Sequence, residues 1–490
     1  MVLVSSEVAP FSKTGGLGDV CGALATGLAD AGHRVVTVSP WYRTGRLEAE
    51  DTGLRLPIPL AGAVHTVAVF QRRIGRVDHL LVAHPMYDRD GYYGDSGGSF
   101  GDNHIRFALL CRAALDAVRR VPLPKKLLGE DVVFHVHDWH AALLPIYLDA
   151  LYRPVGLFPR AATVLTLHNP AHQGRLPGSL FADLELPPRW FTPSALELHG
   201  DLDLLKGGIL LADALTTVSP KFAREITTPG GGFGLDGLLR HRADDLVGIL
   251  NGIDVVTWDP ARDPLLPARF SADALTGKAT CKAALQAELG LPVAADVPLL
   301  GFVGRLDPQK GAELLLESVP WIMDQGAQVV ILGSAAAAHV RFEHRARQLE
   351  AAYPRSVRAW VGFDEGVSHR VEAGSDLFLM PSLYEPCGLT QMYSMRYGTP
   401  PIARRTGCLV DTIAPYDADA DADTGTGFLF DAATGIAFRG AIGRALDLFA
   451  DDPAAFTRLR LRGMAQDFGW ERAIPEYVRV YERAWARRNR

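Results

Sequence analysis

The chain has 490 residues, 48% of them hydrophobic and 22% charged, with 32 prolines. At roughly 150 residues per domain this suits two large or three ordinary folded domains, and it excludes a small module, a disordered chain, collagen or a coiled coil. The 50 basic and 56 acidic residues leave a net charge of −6, so no chain-wide field exists to hold nucleic acid or an anionic membrane, and any phosphate chemistry has to be local.

In chain order, the opening MVLVSSEVAPF lacks the basic start and long apolar run of an export signal. It begins instead with a strand, Val2–Ser5. Lys13-Thr14-Gly15-Gly16-Leu17-Gly18-Asp19 follows and opens a helix running to about Ala31. Glycines there let backbone N–H groups approach a phosphate, and Lys13 stands past the carboxyl end of a strand, where ligands collect in open α/β sheets. Composition alone also allows a tight turn with a solvated lysine. A dinucleotide fingerprint is disfavoured, because Cys21 occupies the place of the third small residue and the strand Val35–Ser39 ends without a carboxylate.

Further short apolar runs fall at Val132–Val136, Ala162–Leu167 and Ala214–Val218, then at Leu299–Val303, Gln328–Leu332, Val357–Val361 and Asp376–Met380. Alternating with helical patterns, they predict an α/β protein with two parallel doubly wound sheets. None is near the roughly 18 residues of a membrane span. The stretch from Gly248 to about Pro298, with Asn-Gly-Ile-Asp at 251–254, reads as a hinge, which puts the domains at 1–248 and 249–470. In 471–490, Ile474, Tyr477, Val478, Tyr481 and Trp485 recur at helical spacing, with Arg479, Arg483 and Arg487 largely opposite. The acidic repeat DADADADTGTG at 417–427 has too little apolar content to pack and is expected to be an exposed loop.

Four stretches carry polar side chains at strand ends. In HVHDWH (135–140), His135 and His137 share one strand face and Asp138 does not; with no later ligand cluster, a hydrogen-bonding pair is expected rather than a metal site. Thr166-Leu167-His168-Asn169 ends the next strand, so two strand ends each deliver a histidine that could grip hydroxyls or simply fill the core. Gly304-Arg305-Leu306-Asp307-Pro308-Gln309-Lys310-Gly311 leads into a helix; two cations there suit a diphosphate leaving group, or are two solvated charges. It is not a Walker loop. After the last strand comes Tyr384-Glu385-Pro386-Cys387-Gly388-Leu389-Thr390-Gln391, where Pro386 and Gly388 are expected to open a helix whose N–H groups and Thr390 hydroxyl hold phosphate, while Glu385 accepts from a sugar. No base stands near Cys387 to make it a nucleophile. The five cysteines form no C-x-x-C pair, which fits a reducing cytoplasm.

Taken together, SEVAPFSKTGGLGDV (6–20), HVHDWH, TLHNPAHQG (166–174), NGID, GRLDPQKG and YEPCGLTQMYSMRYGTPPIARRTG (384–407) resemble the bacterial glycogen synthase and plant starch synthase family, glycosyltransferase family 5. The resemblance spans nearly the whole chain. It implies the GT-B fold, two Rossmann-like domains facing across a deep cleft, with the C-terminal helix crossing back to the N-terminal domain. It further implies transfer of glucose from ADP-glucose to the non-reducing end of an α-1,4-glucan such as glycogen, with retention and without metal or other cofactor. By matching motif, Lys13 and Gly16 would approach the donor, and Asp138 and His168 would lie against the glucose. Tyr93, Asn103 and Asn251 fall at sugar or acceptor positions. Arg305 and Lys310 would neutralise the diphosphate. Cys387, Gly388, Leu389 and Thr390 would line the distal phosphate, Glu385 would bind the sugar, and Phe363 would stack on adenine in place of the usual tyrosine. Cys408, standing where a second glycine is usual, and Gly333-Ser334-Ala335, without an aspartate, are the other departures; with Phe363 they leave UDP-glucose as an alternative donor.

Overall fold

The computed structural model describes residues 1–44, 47–95, 98–122, 129–417 and 424–490; most of the acidic repeat, 418–423, lies outside the described residues. Two compact units divide the chain, one formed by Met1–Gly252 with Trp470–Arg490 and the other by Ile253–Gly469. The break therefore falls at Gly252, just past the Gly248 expected from sequence.

The first unit is built on a nine-stranded sheet in the spatial order Leu246–Gly248, Ala214–Thr217, Ala162–Leu167, Val133–His137, Val2–Val4, Val36–Pro40, Val77–Ala83, Ala63–Ile74, Glu50–Leu60. The first seven run parallel, and most of their Val and Leu side chains are buried. The last two form an antiparallel hairpin with Val77–Ala83, so the sheet is mixed rather than wholly parallel as expected. The hairpin's edge strand alternates buried Leu56, Ile58 and Leu60 with exposed Arg55, Pro57 and Pro59, and prolines are tolerated there because an edge strand has N–H groups to spare.

The helix Ile474–Arg488 belongs to this unit. Ile474, Tyr477, Val480, Tyr481 and Ala484 enter one core with Leu3, Leu24, Leu28, Val164 and Ala214. Polar contacts tie the helix as well: Arg488 pairs with Asp213 at 2.9 Å, and Arg483 donates to the Asp245 carbonyl at 2.9 Å.

The second unit is a six-stranded, all-parallel sheet in the order Val357–Val361, Gln328–Gly333, Leu299–Val303, Leu377–Met380, Pro401–Arg404, Phe428–Phe430. One face packs Leu300, Phe302, Val329, Ile331 and Leu379 against Leu315, Ile322 and Phe438; the other buries Phe378 and Met380 under Met392 and Leu409. Among the described residues no helix is long and apolar enough to cross a membrane.

Candidate active site

In an open parallel sheet, neighbouring strands whose connections wind to opposite sides leave a crevice beyond their carboxyl ends. The first sheet reverses between Val2–Val4 and Val133–His137, the second between Leu299–Val303 and Leu377–Met380. The four loops leaving those strand ends carry most of the sequence-selected polar residues, so topology alone gathers them at one crevice per unit.

In the first unit, Lys13 precedes the helix Gly16–Asp30 and pairs with Asp19 one turn in, at 2.9 Å. Glu7 organises the same loop. Its carboxylate accepts from Thr14 N and Oγ1 at 2.5 and 2.7 Å and from the Tyr93 hydroxyl at 2.5 Å. Asn103 is fully engaged, donating to the Tyr93 carbonyl at 2.8 Å and accepting from buried Arg106 at 2.6 Å; it sets the position of Tyr93. Asp138, at φ 55, directs its carboxylate to the next strand end, where Oδ1 accepts from His168 N at 2.7 Å and Asn169 N at 3.4 Å. That left-handed conformation suits Asp better than most residues.

The imidazoles form a chain inward. His168 Nε2 and His137 Nδ1 share a hydrogen bond of 2.9 Å, the rings of His137 and His135 lie 4.2 Å apart, and His135 Nδ1 meets the Tyr481 hydroxyl at 2.9 Å. Burial holds all three below the ordinary histidine value, His135 down to about 3 and His137 well below it; for His168 the nearby Asp138 charge opposes the effect. They are neutral hydrogen-bonding groups at physiological pH. Cys21, His137 and His168 bring one donor atom each within 4.8 Å of the others, and burial raises the Cys21 thiol. Asn251 is buried and neither atom of its amide finds a partner, an arrangement that calls for a polar visitor.

In the second unit, Lys310 and Glu385 come together. Lys310 Nζ bonds Glu385 Oε2 at 2.7 Å, and Ser382 Oγ donates to the same oxygen at 2.9 Å. Glu385 is 3% exposed, and Lys310 is the cation that pairs with it. Arg305 is largely exposed; it pairs with Asp307 at 2.8 Å and donates to Gln309 at 2.9 Å. Asp307 in turn accepts from Lys310 N at 2.9 Å, bracing the loop.

The helix after Glu385 starts at Thr390, with Leu389 as its cap, not at Pro386–Gly388 as expected. Gly388 sits at φ 63, and a Cβ there would lie 2.6 Å from Gln391 Oε1, so the backbone at this position is not helical. Phe363 is 80% exposed, a ring open to a planar partner.

Sequence reasoning selected Lys310 and Glu385 separately, missed their pairing, and missed Glu7 and Ser382. Glu7 and Ser382 lie in stretches already selected, but nothing in those stretches marks them apart from their neighbours.

Two family models match the chain: one described as the starch synthase catalytic domain over residues 1–241, and one as glycosyl transferases group 1 over residues 290–453. Glycogen synthase from Anaeromyxobacter dehalogenans is 48% identical over 488 residues, covering 98% of both chains. Soluble starch synthase 1, chloroplastic/amyloplastic, from Oryza sativa subsp. indica is 43% identical over 504 residues, covering 99% of this chain and 78% of that protein. Among solved structures, the catalytic domain of starch synthase IV from Arabidopsis thaliana, bound to ADP and acarbose, matches with a TM-score of 0.90 and 33% identity over 99% of both chains. The two-unit α/β architecture is that of the GT-B fold.

Proposed function

The chain belongs to the glycogen and starch synthase family of glycosyltransferases, and from that premise we propose that it transfers glucose from ADP-glucose to the non-reducing end of an α-1,4-glucan, as a glycogen synthase does, with retention at the anomeric carbon. The observation that carries the reading is the Lys310–Glu385–Ser382 cluster at the carboxyl ends of Leu299–Val303 and Leu377–Met380. It combines a cation suited to a phosphate with a buried carboxylate suited to sugar hydroxyls.

Breaking the donor bond puts negative charge on the leaving diphosphate and positive charge on the sugar ring. Lys310 and Arg305 stabilise the first, with the Gly388 and Leu389 amides and Thr390 hydroxyl on the distal phosphate. Asp138 lies on the sugar side and favours the developing cation, while neutral His168 hydrogen-bonds a hydroxyl without adding charge. The acceptor hydroxyl passes its proton to the departing phosphate oxygen, so the step needs neither a protein nucleophile nor a metal ion. Phe363 stacks on the base, and Lys13 and Gly16 are further donor contacts.

The test is a donor panel with one glucan acceptor. ADP-glucose is expected to give ADP and an elongated α-1,4-linked chain. A large preference for UDP-glucose would overturn the donor assignment, and nucleotide release without chain growth would overturn the acceptor.

A further inference from the structure

Two thiols that the proposed chemistry leaves idle meet beside the Glu385 loop. Cys387 Sγ lies 3.4 Å, and Cys408 Sγ 3.9 Å, from the same Gly388 carbonyl oxygen. Gln391 Nε2 lies 3.4 Å from Cys408 Sγ and 3.2 Å from the Cys387 carbonyl. The backbones are joined as well, Cys408 N donating to the Glu385 carbonyl at 3.2 Å. Gly407 fixes that register: at φ 47, a Cβ would fall 1.8 Å from the Glu385 oxygen.

The two thiols are not equivalent. Cys387 is half-buried and Cys408 buried. Burial, then the Cys387 thiol beside it, holds the Cys408 thiol well above its ordinary value. Cys21, Cys111 and Cys281 are also buried, and Cys111 and Cys281 bond to the carbonyls of His140 and Ala268. An accessible thiol next to a protonated, sheltered one is the arrangement of a reacting and a resolving cysteine.

We propose that Cys387 and Cys408 form a redox-responsive dithiol, which a peroxide converts to a disulfide that stops glucosyl transfer; the second half of this statement rests on the donor site assigned above. The Cys387 thiolate attacks hydrogen peroxide, the O–O bond breaks, and Cys387 sulfenic acid and one water result. The Cys408 thiol then attacks that sulfur, the S–O bond breaks and a second water leaves. Two thiols and one peroxide thus give one disulfide and two waters. A disulfide needs its sulfurs about 2.05 Å apart, so the bridge draws Cys387 towards Cys408 and drags Glu385 and Gly388 with it; a displacement of about 1 Å at reacting groups costs on the order of 10²-fold in rate.

The experiment treats the reduced full-length chain with hydrogen peroxide, alkylates the remaining thiols and maps peptides, while ADP release from ADP-glucose is followed in parallel. One cross-linked peptide pair containing Cys387 and Cys408 is expected, with turnover falling about 10²-fold and returning after a dithiol reductant. In Cys408→Ser and Cys408→Ala, each checked for an unchanged melting temperature, the pair should vanish and dimedone should label Cys387 instead. Dimedone labelling of Cys387 in the unsubstituted chain without the cross-link would overturn the dithiol. Complete cross-linking with unchanged turnover would overturn its effect on transfer. A reduced chain inactive with ADP-glucose would instead count against the donor assignment, while peptide mapping still reports on the dithiol.

Discussion

The two units share a plan, a sheet whose parallel strands reverse beside a polar crevice, yet they bury different titratable groups. In Met1–Gly252 burial holds the imidazoles of His79, His135, His137, His140 and His168 below the ordinary histidine value. In Ile253–Gly469 Lys310 pairs with Glu385 and Lys282 with Asp376, each at 2.7 Å. Neutral donors and acceptors suit sugar hydroxyls, whereas fixed cations suit a leaving diphosphate. That difference makes the halves differ in how they fail.

The largest effect should come from Lys310→Ala. Turnover is expected to fall about 10²- to 10³-fold, the range for removing one donor from a developing anion. Because Glu385 is then buried without its cation, stability should fall as well, by about 3 kcal/mol. Arg305→Ala should lower turnover comparably and leave the melting temperature unchanged, since that side chain is mostly in solvent. Near-normal ADP release from both variants would break the comparison.

Next is Asp138→Ala, which strips the acceptor from His168 N and Asn169 N. A stability loss of about 1–3 kcal/mol for unsatisfied donors and a fall in turnover are expected. Asp138→Asn should recover most of the stability, because Asn keeps an acceptor and tolerates the left-handed backbone, but little of the rate. Full recovery of rate would show that the charge at this position is dispensable.

Acid should separate the units more gradually. Well above pH 6.5 the histidines named above are neutral whether the chain is folded or not. As the pH falls below 6.5 the unfolded chain takes up protons that the folded unit refuses. Stability then drops by up to about 1.4 kcal/mol per pH unit per histidine, continuing to the folded values of about 4 for His79 and about 3 for His135. Glu372, raised by burial in the other unit, acts in the opposite sense, since its folded form holds a proton at higher pH than the unfolded chain does. Amide hydrogen exchange at pH 7 and pH 5 should show Met1–Gly252 losing protection first; equal loss in both units would remove the distinction.

The smallest effect is expected for Phe363→Ala, which should raise the KM for ADP-glucose about threefold to tenfold, the worth of an aromatic stack of about 0.5–1.5 kcal/mol, and leave kcat unchanged. A change in kcat instead would place the ring in the chemical step.

Much of this was legible in the sequence. The strand Leu299–Val303 and the loops after it and after Met380 are marked by apolar runs that end abruptly in polar, glycine-containing segments, and such local patterns survive folding. The antiparallel hairpin is equally local in its alternation of Leu56, Ile58 and Leu60 with Pro57 and Pro59, but prolines at every second position argue against a strand until an edge is known to be there. The Lys310–Glu385 bond was not legible, because a pairing across 75 positions is decided by strand order. Nor was the neutrality of the histidines: an imidazole's state follows from burial, and His135 owes part of its enclosure to Tyr477 and Tyr481, which stand near the other end of the chain.

That enclosure has a consequence for biosynthesis. The polypeptide leaves the first unit at Gly252 and re-enters it at Trp470, so the helix that covers Leu24, Leu28 and Val164 emerges from the ribosome only after all of Ile253–Gly469. Domains made early generally fold early; here the unit translated first is finished last, with an apolar face waiting for its cover, and a stalled or prematurely terminated chain presents that face to chaperones and proteases while the second unit is already complete.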